Sequence, residues 1–189
     1  MALSDAERRT LLDLARRAVE AAVRGERAPV VGMAACEGEL GRQRGCFVTL
    51  TNGGRLRGCT GMLSARQPLA NAVVAMAQAA VEDPRFTHNP ITPAELPDLA
   101  IGVSVLSELE LTRRPDELRV GEHGIYIVRG GRSGCFLPEV APEQGWNVTE
   151  FLSCCCTHKA GLPADAWKDP GTKVYLFTSE KFSEEANSQ

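Results

Sequence analysis

The residues with the clearest chemical potential are Leu56-Arg57-Gly58-Cys59-Thr60-Gly61. A thiol stands between two glycines, with Arg57 two residues before it. In a regular strand, residues i and i+2 share a face, so Arg55, Arg57 and Cys59 are expected to point one way and Leu56, Gly58 and Thr60 the other. Two cations beside a thiol favour its thiolate. Same-face neighbours lie about 6.6 Å apart along a strand. One arginine charge at that range is worth roughly 0.6 kcal/mol in water and about 2.5 kcal/mol at an effective dielectric near 20. That carries the thiol pKa down by roughly 0.5 to 2 from its ordinary value near 8.5. A mostly ionised Cys59 at neutral pH therefore needs a sheltered cleft. The other account of the motif is a structural thiol, flanked by glycines that permit close packing.

Three further groups invite chemistry. Cys154-Cys155-Cys156 with His158 sets a thiol and an imidazole at i and i+4 on a helix, where they could share a metal. The spacing matches no zinc pattern, and small apolar thiols on a buried helix are the alternative, so no metal ligand is assigned. His88, in a loop after Asp83-Pro84-Arg85-Phe86, is the remaining candidate base for Cys59. Gly130-Gly131-Arg132-Ser133-Gly134 is glycine-rich but lacks the Lys-Ser/Thr of a phosphate loop, and reads as a hairpin turn with an exposed arginine.

Composition limits the partners. The net charge of −3 gives no general attraction to nucleic acid or anionic membrane. The first 60 residues are more basic, with Arg42, Arg44, Arg55 and Arg57 close together, so an anion site or a nucleic-acid contact in that stretch is the third functional reading. Trp146 and Trp167 are too separate for a base-stacking platform. No apolar run is long enough to cross a bilayer, and the N-terminal residues lack a secretory pattern, so a cytoplasmic protein with reduced thiols is expected.

The elements that must position these residues can be read from periodicity. Ser4 to Arg24 predicts an amphipathic helix with a Ser4/Glu7 capping box, a stripe of Leu11, Leu14, Ala15, Ala18, Val19 and Ala22, and a stop at Gly25. A short strand is expected near Val30-Val31. Cys46–Thr51 and Arg55–Leu63 form a hairpin around Asn52-Gly53-Gly54, which carries the Cys59 motif. Pro68 to Val81 is a central helix, apolar on nearly every face. A long strand from Leu99 to Leu111, a hairpin from Gly124 to Val140, a helix from Thr149 to His158 and a last strand from Lys173 to Thr178 follow. The tail after Phe182 is expected to fray. Hairpins mixed with helices give an α+β fold with mostly antiparallel sheet and flanking helices.

Several segments together resemble one family. Leu56-Arg57-Gly58-Cys59-Thr60-Gly61 is similar to the Leu-Arg-Gly-Cys-Ile-Gly signature of the AMMECR domain family. Phe47-Val48-Thr49-Leu50, Asp83-Pro84-Arg85-Phe86, Val103-Ser104-Val105-Leu106, Gly131-Arg132-Ser133-Gly134 and Lys159-Ala160-Gly161-Leu162-Pro163 match in order, over about residues 28–178. The resemblance implies one AMMECR-type domain over 1–189, built as two intertwined lobes with a cleft between them, and a tail over 183–189. It implies a functional centre at Leu56 through Gly61, and partners of the Memo and radical S-adenosylmethionine types, as in AmmeMemoRadiSam system protein A. It carries no settled activity and no cofactor. Thr60 stands where the family usually has Ile, so its hydroxyl needs a partner if it faces the core. The leading expectation is an enzyme or enzyme component with Cys59 as nucleophile and Arg57 as thiolate or anion partner, and Leu56, Gly58, Thr60, Gly61 and Arg85 as binding residues. The alternative is a non-catalytic docking module.

Overall fold

A computed structural model describes residues 2–184. The chain divides into two compact units, one of Met1–Leu106 with Glu180–Gln189 and the other of Ser107–Ser179. Each contains a four-stranded antiparallel sheet with helices against it, the α+β class expected.

The first unit opens with helix α1 (Asp5–Arg24). The Ser4 hydroxyl accepts from the Glu7 N–H, and the Glu7 carboxylate accepts from the Ser4 N–H, closing the expected capping box. Gly25, in the left-handed conformation, ends the helix. The buried stripe contains Leu11, Leu14, Ala15, Ala18 and Val19, with Ala21 in place of Ala22. No strand forms at Val30-Val31; Val30 is almost fully exposed and the chain runs on into two short 3-10 turns. Ala28 and Val31 pack on the core, but no alternating run beside them extends the pair into a strand.

Strands β1 (Cys46–Asn52) and β2 (Arg55–Met62) form the hairpin, turning through Gly53 and Gly54 at positive φ. Helix α2 (Leu69–Val81) follows, and then β3 (Leu99–Leu106). The sheet order is β2-β1-β3-β8, where β8 (Ser179–Ser183) arrives from the far end of the chain. Cys46, Val48 and Leu50 alternate with Leu99, Ile101, Val103 and Val105 to bury one sheet face against α1 and α2. The Cys46 thiol lies in this core, and burial pushes its pKa up to about 12.

The second unit has the order β4-β7-β5-β6, with β4 (Glu110–Thr112), β5 (Gly124–Arg129), β6 (Arg132–Phe136) and β7 (Lys173–Phe177). The expected strand Leu99–Leu111 is therefore two strands in two sheets, and Leu111 is exposed rather than core. The segment Ser107–Glu108–Leu109 lacks the alternation that would have carried β3 further. After β6 come a short helix α3 (Val140–Gln144) and α4 (Val148–Cys154), capped by Asn147 and Glu150. The helix expected to run to His158 changes instead to a π turn over Cys155–Lys159, closed by the Ala160 N–H on the Cys155 carbonyl. β7 is not the last strand, because β8 follows it. Nor does the tail fray immediately after Phe182: Ser183 is in β8, and the Glu184 carboxylate accepts from the Ile101 N–H and pairs with Arg16. Residues 185–189 of the expected tail lie outside the described residues.

Candidate functional site

Register decides what surrounds Cys59. Cys59 is opposite Thr49, Gly61 opposite Phe47, Thr60 opposite Val48 and Gly58 opposite Leu50. Opposed residues share a face, so Gly58 and Thr60 turn toward the helices, while Cys59 and Gly61 turn to the other side. Between Leu50 and Thr51 the register shifts: Thr51 faces Leu56, and Arg57 has no partner across the strands. This bulge breaks the alternation assumed from sequence, and puts Leu56, which is 40% exposed, on the Cys59 side.

Arg57 is consequently not beside the thiol. It is buried, and its Nε and Nη2 donate to the two Glu95 carboxylate oxygens at 3.0 and 3.2 Å. Nη2 also donates to the carbonyls of Asn89 and Pro90. Glu95 further accepts from Asn52 and from the Thr92 N–H. The hydrogen bonds from Arg57 hold the Glu95 carboxyl below its ordinary pKa. Arg57 clamps the loop 89–95 to β2, which corrects its expected role as thiolate partner.

The cation near Cys59 is Arg85, held by a residue that sequence reasoning did not single out. Asp83 is buried and accepts from the Cys59 N–H at 2.9 Å, and from the Arg85 N–H, Nε and Nη2. Arg85 Nη2 donates in turn to the Cys59 carbonyl at 3.3 Å. β2 is an edge strand, and this pair covers the outward main-chain groups of Cys59. The Arg85 hydrogen bonds, followed by those from the Cys59 and Arg85 N–H groups, hold the Asp83 carboxyl well below the usual carboxylate range despite its burial. Asp83 raises the Arg85 pKa in return. The Arg85 side chain is 59% exposed and lies over the Phe86 ring. An Asp before Pro-x-x, able to cap a short turn, was the sequence signal for Asp83.

The Cys59 thiol is half-buried and its Sγ accepts from the Thr49 hydroxyl at 3.4 Å. The Thr60 hydroxyl finds its needed partner in the Ala79 carbonyl of α2. Gly58 and Gly61 are required by packing. A Cβ on Gly58 would lie 2.0 Å from the Ala80 carbonyl oxygen, and one on Gly61 would lie 2.2 Å from the Phe47 ring. His88 is exposed, and among the described residues no hydrogen bond joins it to Cys59. Of Arg42, Arg44, Arg55 and Arg57, Arg42 and Arg44 pair with Glu39 and Arg57 with Glu95, while Arg55 is exposed.

All seven cysteines are free. Cys155 and Cys156 are fully buried in the second unit, where burial raises both pKa values, while His158 is exposed. Among the described residues, no group of three or more His, Cys, Asp or Glu is placed to hold a metal. Gly134 lets the π turn lie against β6, since a Cβ there would come within 2.6 Å of Lys159 and Ala160. Arg132 is exposed, as expected of a turn arginine, and donates to the Gly161 carbonyl at 2.6 Å.

The sequence model of the AMMECR1 family matches residues 12–182. The chain belongs to the AMMECR1 family. Protein TK0174 of Thermococcus kodakarensis is 45% identical, over 93% of this chain and 89% of its own. A protein of Methanothermobacter thermautotrophicus is 41% identical, over 97% of both chains. The crystal structure of the uncharacterised protein PH0010 from Pyrococcus horikoshii superposes with a TM-score of 0.89 at 37% identity, covering 97% of this chain and 94% of that one. This AMMECR1-family chain thus shares its fold with relatives whose names assign no activity. No helix among its described residues is long and apolar enough to cross a membrane.

Proposed function

We propose that this AMMECR1-family protein is an enzyme or enzyme component in which Cys59 is the nucleophile and Arg85, rather than Arg57, is its cationic neighbour. One observation carries the reading. Cys59 is half-exposed on the sheet face away from the helices, with its sulfur on the Thr49 hydroxyl and its main chain fixed by Asp83 and Arg85. The Thr49 hydroxyl lies on the sulfur, and the fixed strand removes the cost of orienting it. Its substrate is an electrophilic small molecule or modified residue, presented by partners of the Memo and radical S-adenosylmethionine types.

Iodoacetamide labelling of Cys59 against pH, read by peptide mass spectrometry, tests this. Cys59 is expected to label faster than glutathione at neutral pH, to slow about 3- to 10-fold in Arg85→Ala, and to change little in Arg57→Lys. A native rate no faster than glutathione would sink the nucleophile.

A docking module is the second reading, supported by the exposed Leu56 and Arg85 beside the capped edge of β2. Its test is co-purification with the Memo-type and radical enzymes. Leu56→Asp with Arg85→Glu is expected to abolish recovery while Cys59→Ala leaves it unchanged; equal recovery from the double variant rejects this surface.

A further inference from the structure

Gly58 and Gly61 are glycines because neighbouring atoms leave no room for a side chain, but Gly102, in the middle of β3, has room. A Cβ there would meet nothing closer than 3.9 Å, and its φ is one that any residue adopts. β1 and β3 pair without a register shift, so no bulge calls for it either. Glycine inside a strand weakens it, and often marks a place where a ligand approaches the backbone closely.

Register puts Gly102 on the Cys59 face. Cys59 is opposite Thr49 and Thr49 is opposite Gly102, so the three form one row across β2, β1 and β3. All three are half-buried. Gly61, Phe47 and Ser104 make the next row on the same face. The Phe47 ring lies over Gly61 and walls the first row on that side, while Leu56 and Thr51 flank it on the other. The row is thus a trough of small residues with a thiol at one end. Ser104 stands beyond the other end. It belongs to Val103-Ser104-Val105-Leu106, a segment that the Cys59 chemistry does not use. Val103 and Val105 point into the core, and Ser104 between them points to the Cys59 face. Ser104 is 5% exposed, and among the described residues its hydroxyl has no hydrogen-bond partner. Unlike the Thr172 oxygen, its oxygen is not sealed. A buried hydroxyl without a partner costs free energy that an acceptor on a ligand recovers.

We propose that the electrophile taken by Cys59 is the end of a narrow, extended acyl-amide chain, and that Gly102 and Ser104 select it. The chain leaves Cys59, crosses Thr49, lies on the bare backbone of Gly102 and accepts from the Ser104 hydroxyl. Strands are about 4.8 Å apart and same-face neighbours about 6.6 Å apart along a strand, which sets Ser104 about 12 Å from Cys59. A flat amide can lie on a glycine backbone where a branched chain cannot, and its carbonyl supplies the acceptor. The proposal rests on the Cys59 reading above, and all of its residues belong to the first unit.

The probes are iodoacetamide, N-octyl iodoacetamide and iodoacetyl-triglycine amide, applied to the full chain and read at Cys59 by peptide mass spectrometry. With each, Sγ bonds to the reagent's methylene carbon as iodide leaves, and the thiol proton goes to water. At about 3.5 Å per residue, the last glycine carbonyl lies about 12 Å from the reacting carbon. The octyl chain has a similar reach and no acceptor. The triglycine reagent is expected to label saturably and about 10-fold or more faster than either of the others. Ser104→Ala should cut that preference about 3- to 10-fold, the loss of one hydrogen bond, and leave the iodoacetamide rate unchanged. Gly102→Val, whose Cβ has space, should abolish the preference, again with iodoacetamide unchanged as the check on folding. These are ratios between reagents at one thiol. A slow iodoacetamide rate therefore tells against the nucleophile, and the ratios alone decide the trough. Equal rates for the triglycine and octyl reagents, or ratios unchanged in Ser104→Ala or in Gly102→Val, would overturn the proposal.

Discussion

Gly58 has no room for a methyl group, because the Ala80 carbonyl of α2 occupies the place a Cβ would take. Gly58→Ala is therefore expected to destabilise the protein by about 1–3 kcal/mol or more, measured by urea unfolding, since the obstacle is backbone and cannot rotate away. Part of what looks like a functional signature in the sequence is thus a packing requirement. Cys59 and Leu56 are members of the motif whose side chains are left available. Asp83 supplies a pH signature. Its folded-state pKa lies below the ordinary carboxylate range, so the stability it contributes is complete above that range and drains away as pH falls through it toward the folded value. Asp83→Asn should accordingly lower Tm at pH 7, and the gap from native protein should narrow below about pH 4. The importance of Arg85 was legible as part of a matching segment. Its exchange with Arg57 was not, because a strand bulge leaves no mark in residue types alone.

At the scale of elements, the 89–95 loop depends on one buried arginine. Arg57→Ala leaves Glu95 and two carbonyls without their donor, and a loss of about 3 kcal/mol is expected. Faster amide exchange confined to this loop, rather than to α2, would locate the damage there. Lys cannot reproduce the two-pronged contact, so Arg57→Lys should recover only part of the stability. Elements with strong local signals were readable: α1 from its capping box and Gly25, the first hairpin from Gly53-Gly54, the second from Gly130-Gly131. The elements missed are those that tertiary contacts create. β4 has three residues and owes its strand character to β7, β8 is polar and exists by pairing at the sheet edge, and the π turn is seated by the absent Cβ of Gly134.

Over the whole molecule, the first unit is assembled from both ends of the sequence. Glu180 accepts from the Leu3 N–H and from Arg8, and Glu184 pairs with Arg16, so β8 is pinned to α1 as well as aligned at the sheet edge. Ending the chain at Phe177 removes these links together. Calorimetry should show Tm lower by roughly 6 °C or more, at about 2–4 °C per kcal/mol for a chain of this size. Retention of the native Tm would mean that the pairs contribute nothing net, as exposed ion pairs often do.

The position of β8 also sets an order of events at the ribosome. Synthesis proceeds from the N-terminus, so α1, α2 and β1 to β3 emerge early, yet the outer edge of β3 must wait through the whole of Ser107–Ser179 before its neighbour exists. During that interval the nascent sheet offers an open strand edge that another chain could occupy. Mispairing of nascent chains at β3 is thus the characteristic hazard of this topology, and rapid translation of residues 107–184 would shorten it.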